Sequence, residues 1–151
     1  MKTLVVEWQR LLDEQTQTCP RCGSTEQEVE KAVQELNRLL NPSGIVASLS
    51  KKAIDPESFK RDVLQSNKIM IAGKTLEEWL GANTGQSKCC ETCGDAECRT
   101  VEYADETHEA IPADLIVRSG LIAAAQVFAV KLPQATQRTP VLKILSKKID
   151  T

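Results

Sequence analysis

Strand-like and helix-like segments alternate at short spacing along this chain and predict an α/β fold, a small mixed sheet with helices on both faces. Two observations carry that expectation. Runs biased toward β-branched and aromatic residues occur near positions 3–9, 45–49 and 68–72, and two long apolar stripes of helical period start at Val29 and Leu115. With 151 residues, 41% of them apolar and 26% charged, the chain fits one ordinary globular domain. That domain is expected over residues 1–130, with a cysteine-rich insert at about 82–98 and a basic tail at 131–151.

The first strand is read over residues 3–9 from Val5, Val6 and Trp8. After Cys19-Pro20-Arg21-Cys22-Gly23, both Ser24 with Gln27 and Thr25 with Glu28 fit a capping box, so a helix is expected to begin at Ser24 or Thr25. Val29, Val33, Leu36 and Leu40 form its apolar stripe, and Pro42 followed by Gly44 stops it near Asn41. Residues 45–49 form a second strand. Asp55-Pro56-Glu57 then supplies an N-cap, a first-turn proline and a first-turn acid for a helix with Phe59 and Val63 turned inward and Leu64 as a further candidate. A third strand, 68–72, turns at Gly73-Lys74, and Thr75 with Glu78 repeats the capping-box pattern ahead of a short helix that Gly81 ends. Residues 82–96 are polar and small and read as a loop that needs something other than apolar burial to order it. Segments 99–103 and 107–111 flank Ala104-Asp105-Glu106 as a hairpin, and Pro112 opens a last helix reaching about Val130.

The charge balance, 19 basic against 21 acidic residues, gives no positive excess that would draw the chain onto nucleic acid or a membrane. The N-terminal segment is too short and interrupted for a secretory signal, and the longest apolar stretch, 121–130, is about half of the roughly 20 residues a membrane span needs. A cytoplasmic location is therefore expected. No phosphate-cradling glycine loop, Ser-His-Asp set or pair of catalytic carboxylates stands out, which sets aside hydrolase and nucleotide-binding functions.

Six cysteines carry what chemistry the sequence offers. In a reducing compartment they point to metal ligation or active thiols rather than to structural disulfides. Cys19 and Cys22, two residues apart, can close a disulfide ring. A helix N-terminus and the Arg21 cation would favour the thiolate there. The same residues, with Gly23 allowing a tight turn, fit a zinc knuckle. A helix capped at Ser24 or Thr25 leans toward the knuckle, because it would begin after Cys22. The second group is Cys89, Cys90, Cys93 and Cys98, in which Cys90-x-x-Cys93-Gly94 repeats the first pattern. The two elements together could hold one zinc, as could a local set of Cys89 or Cys90, Cys93 and Cys98 completed by His108 or Cys19. Alternatives are a redox relay between the two groups and spare thiols in a loop. For His108, an exposed side chain on a short polar strand is the simpler expectation.

A Cys-x-x-Cys between the first strand and first helix, and a third strand followed by Gly73-Lys74, resemble the thioredoxin-like superfamily over roughly residues 3–125. That resemblance implies thiol–disulfide chemistry with Cys19 as attacking thiolate, Cys22 as resolving thiol and a protein thiol or disulfide as partner. The chain departs from the family where a cis proline is usual before the third strand, since the matching residue is Asn67. The whole chain, including Ala113-Asp114-Leu115-Ile116 after Ile111-Pro112 and the Cys89-Cys90 insert, also resembles an uncharacterised prokaryotic family catalogued as a domain of unknown function. Two functions follow as expectations: a thiol–disulfide protein, or a non-enzymatic protein binding zinc or another soft metal or metalloid through its cysteines.

Overall fold

In the computed structural model, which describes residues 2–12, 20–88 and 97–129, β1 (Lys2–Leu11) forms the centre of the main sheet. Helix α1 (Pro20–Leu40) returns the chain to β2 (Ile45–Ile54), which pairs parallel to β1 from Lys2 opposite Ile45 to Leu11 opposite Ile54. The other side of β1 pairs antiparallel with β3 (Lys68–Ile71), and β3 turns through Ala72-Gly73 into the two-residue β4 (Lys74–Thr75). The sheet order is β2-β1-β3-β4. Its fully buried residues alternate along β1 as Leu4, Val6 and Trp8, the period-two pattern of a strand with one face on the core.

Between β2 and β3 lie α2 (Pro56–Arg61) and the 3-10 turn Val63–Gln65. Asp55 caps α2 as the sequence implies, its Oδ1 accepting the Ser58 N–H at 2.7 Å. Helix α3 (Leu76–Leu80) carries the expected capping box, with Thr75 and Glu78 bonded reciprocally. A second, antiparallel sheet follows, ordered β5-β6-β7 from β5 (Asn83–Lys88), β6 (Glu97–Tyr103) and β7 (Glu106–His108). Helix α4 (Ala113–Phe128) closes the described fold by packing on α1 and the main sheet.

Several expectations need correction. Helix α1 starts at Pro20 rather than at Ser24 or Thr25. The side chains that suggested a cap there serve the start of another helix: Thr25 Oγ1 accepts the Ile111 N–H at 3.2 Å, and Glu28 Oε1 accepts that of Ala113 at 2.8 Å. Residues 83–88 are a strand rather than a loop, ordered by ladder bonds to β6, which need no apolar alternation. The buried stripe of α1 runs Val29, Ala32, Leu36, Leu40, so Val33 lies at its margin. On α4, Leu115, Ile116 and Leu121 are buried, while Val127 is 50% exposed. The long helices α1 and α4 pack on each other, whereas Val5, on the opposite side of β1 from Leu4 and Val6, stays 44% exposed. The basic tail expected at 131–151 lies outside the described residues.

A buried ion pair joins the second sheet to α3. Arg99 Nε on β6 meets Glu77 Oε2 on α3 at 2.9 Å, with both side chains less than a tenth exposed. Arg99 also donates to the Leu64 carbonyl at 2.7 Å, and Thr84 Oγ1 donates to Glu77 Oε2 at 3.1 Å. Every member thus has partners, the condition under which a buried charge is tolerated.

Candidate functional site

The site forms where the start of α1 meets the end of β1 and strands β5 and β6 of the second sheet. Because α1 starts at Pro20, Cys22 is its third residue and lies in its first turn. Cys22 is 2% exposed. Its Sγ lies 3.8 Å from Ser66 Oγ, and the same oxygen accepts the Leu11 N–H at 3.1 Å. Ser66 is itself fully buried just before β3. No signal in the sequence singles out Ser66, since a serine between a turn and a strand is ordinary.

Asn67, where the resemblance would have a cis proline, is fully buried in a left-handed conformation with φ of 61°. Its Oδ1 accepts the indole N–H of Trp8 at 3.2 Å and its Nδ2 donates to the Glu109 carbonyl at 3.0 Å. The side chain therefore ties β1 to the segment leading into α4. No cis peptide bond occurs among the described residues.

Arg21, between the two cysteines of the first pair, donates to four backbone carbonyls of the second sheet. Its Nη1 donates to the carbonyls of Ser87 and Lys88, each at 3.2 Å. Its Nη2 donates to those of Cys98 at 3.2 Å and Arg99 at 3.1 Å. Lys88 is the last residue of β5, and Cys98 sits near the start of β6, so one guanidinium grips both flanks of residues 89–96. Arg21 Nε is buried without an acceptor among the described residues.

Of the sequence-derived candidates, Cys22 and Cys98 are described and both are buried. Cys19, Cys89, Cys90 and Cys93 lie outside the described residues. Among the described residues no three His, Cys, Asp or Glu side chains come together as a metal site. His108, on β7, lies 3.6 Å from Glu106 with its side chain 21% exposed. No helix among the described residues is long and apolar enough to cross a membrane.

The family model for a domain of unknown function, DUF2703, matches residues 4–120, which takes in most of β1, both described cysteines and half of α4. The chain belongs to the DUF2703 family. This DUF2703 protein is also 40% identical over 113 residues to an uncharacterised protein of Archaeoglobus fulgidus, a match covering 75% of this chain and 82% of that relative. No solved structure matches it.

Proposed function

We propose that this DUF2703 protein is a thiol protein in which Cys19 and Cys22, on a thioredoxin-like scaffold, exchange disulfides with a partner protein and are coupled to the cysteines at 89–98. The observation that carries this reading is the Arg21 grip. The residue inside the first Cys-x-x-Cys binds carbonyls on both flanks of residues 89–96, at Lys88 and at Cys98, the last member of the second cysteine group. The β2-β1-β3-β4 order, with α1 following β1, supports the scaffold. Burial of Cys22 suits a resolving thiol, which has to be reached only from within the molecule. The start of α1 at Pro20, ahead of Cys22, removes the argument that favoured a knuckle.

In this mechanism the Cys19 thiolate attacks one sulfur of the partner's disulfide, releasing one partner thiolate and leaving a mixed disulfide. Cys22 then attacks Cys19, frees the partner's second thiolate and leaves a Cys19–Cys22 disulfide. Two electrons have passed from the pair to the partner. A thiol from the 89–98 group can attack the new disulfide in the same way and take over the oxidation. Such exchange suits a cytoplasm, where thiols are kept reduced. Because the Asn67 amide is turned into the core, partner docking would not use the usual cis-proline edge.

The same Arg21 grip also favours a second reading, in which Cys19, Cys22, Cys89, Cys90, Cys93 and Cys98 supply thiolates to zinc or another soft metal ion. One preparation separates the two. The full chain is purified anaerobically, bound metal and reactive thiols are counted, and alkylation rates of Cys19 and Cys22 are followed against pH in single Cys→Ser variants. Thiol chemistry predicts little metal, and a Cys19 that reacts faster than Cys22 and titrates below the ordinary thiol value of about 8.5. One equivalent of tightly held zinc with both thiols protected would favour the metal reading.

A further inference from the structure

We propose that Ser66 sets the redox poise of the first cysteine pair by holding the Cys22 sulfur in its reduced state. The proposal rests on the thiol reading above and names a residue that reading leaves out. Ser66 Oγ is 3.8 Å from Cys22 Sγ, a hydrogen-bond distance for a sulfur atom, and both residues are buried. The hydroxyl is not a free rotor, because the Leu11 N–H at the end of β1 already points at its oxygen. With that donor in place, the hydroxyl retains its own proton, which it can give to a thiolate, and a lone pair, which can accept from a thiol. The backbone around Ser66 is fixed as well. Its N–H closes the 3-10 turn on the Val63 carbonyl at 3.3 Å, and the next residue, Asn67, is bonded to Trp8 and Glu109.

Oxidation changes what this contact is worth. Forming the Cys19–Cys22 bond removes two electrons and two protons from the pair. Glutathione disulfide accepts them and leaves as two glutathione thiols by way of a mixed disulfide. A disulfide sulfur has no proton to give and is a poorer acceptor than a thiolate, so the Ser66 bond favours the reduced pair. Burial strengthens the preference, because a hydrogen bond shielded from water is electrostatically stronger. A group that stabilises the reduced form makes the pair a stronger oxidant. Ser66 therefore raises the potential of the pair, and removing its hydroxyl lowers it.

The test equilibrates the full chain and its Ser66→Ala variant in graded mixtures of glutathione and glutathione disulfide. After an acid quench and alkylation, peptide mapping quantifies the 19–22 disulfide. The Ser66→Ala variant should oxidise with an equilibrium constant about tenfold larger, which is about 30 mV more negative in potential. Ser66→Thr, which keeps a hydroxyl, should stay near the parent. If Ser66→Ala does not fold, the isosteric pair Ser66→Thr and Ser66→Val takes its place, and only Val should shift. A 19–22 disulfide that forms normally, with the same constant whether or not residue 66 carries a hydroxyl, overturns the proposal and leaves the thiol reading intact. A parent chain that never forms this disulfide overturns the thiol reading and this proposal with it.

Discussion

Arg21 reaches Cys98 across 77 positions of sequence, its Nη2 donating to the Cys98 carbonyl at 3.2 Å. This bond and its three companions connect the helix turn that carries Cys22 to the strand ends that flank residues 89–96.

Replacing Arg21 should loosen that junction. Charge-assisted bonds of this kind are worth about 1.5–3 kcal/mol, so Arg21→Ala should lower unfolding stability by about that amount. Arg21→Lys should recover only part of it, because an ammonium cannot fork between the β5 and β6 carbonyls. Urea unfolding measures the loss, and faster amide exchange confined to residues 83–103 would locate it.

A double-mutant cycle on Glu77 and Arg99 should give a large coupling. Removing either partner leaves a buried charge uncompensated, at about 3–5 kcal/mol for each single variant. Glu77→Leu with Arg99→Met should be less destabilised than the sum of the two singles. Strict additivity in chemical denaturation would mean the pair does not hold β6 to α3.

The packing of α4 on α1 can be tested at Gly120. A Cβ added there would lie 2.7 Å from Leu36 Cδ1, and Leu36 is fully buried. Gly120→Ala should cost about 1–3 kcal/mol through overpacking, and Leu36→Val in the same chain should relieve part of it.

Acid should weaken the same interface through Glu28. The Lys31 ammonium beside it, and then the Ala113 N–H, hold its carboxyl below the usual glutamate value. A depressed folded value means that this stabilisation is complete above the ordinary carboxyl range, near about 4.3, and is lost as pH falls through the lower folded value. Thermal melts between about pH 5 and pH 2.5 should thus decline less steeply in Glu28→Gln than in the parent.

Where the sequence was legible, local chemistry and tertiary structure agreed. Trp8 and its neighbours marked β1, Asp55 marked α2, and Thr75 with Glu78 marked α3. The start of α1 was misread because Thr25 and Glu28 have the spacing of a local cap, yet their partners, Ile111 and Ala113, are far along the chain. Strand β5 was hidden because Asn83 to Lys88 lack apolar alternation and owe their order to β6 and to Arg21. The cysteines of the site were visible as spacing. Ser66 and the reach of Arg21 were not, because a buried hydroxyl and a grip on backbone carbonyls leave no pattern in the residues they contact.

The most direct test of the central claim is the identity of the first disulfide. The full chain, purified anaerobically and reduced, is titrated with less than one equivalent of glutathione disulfide, quenched in acid and mapped by mass spectrometry. The Cys19–Cys22 disulfide should form first, and the oxidation should then appear among Cys89, Cys90, Cys93 and Cys98. A first disulfide wholly within 89–98, with Cys19 and Cys22 still reduced, would contradict it.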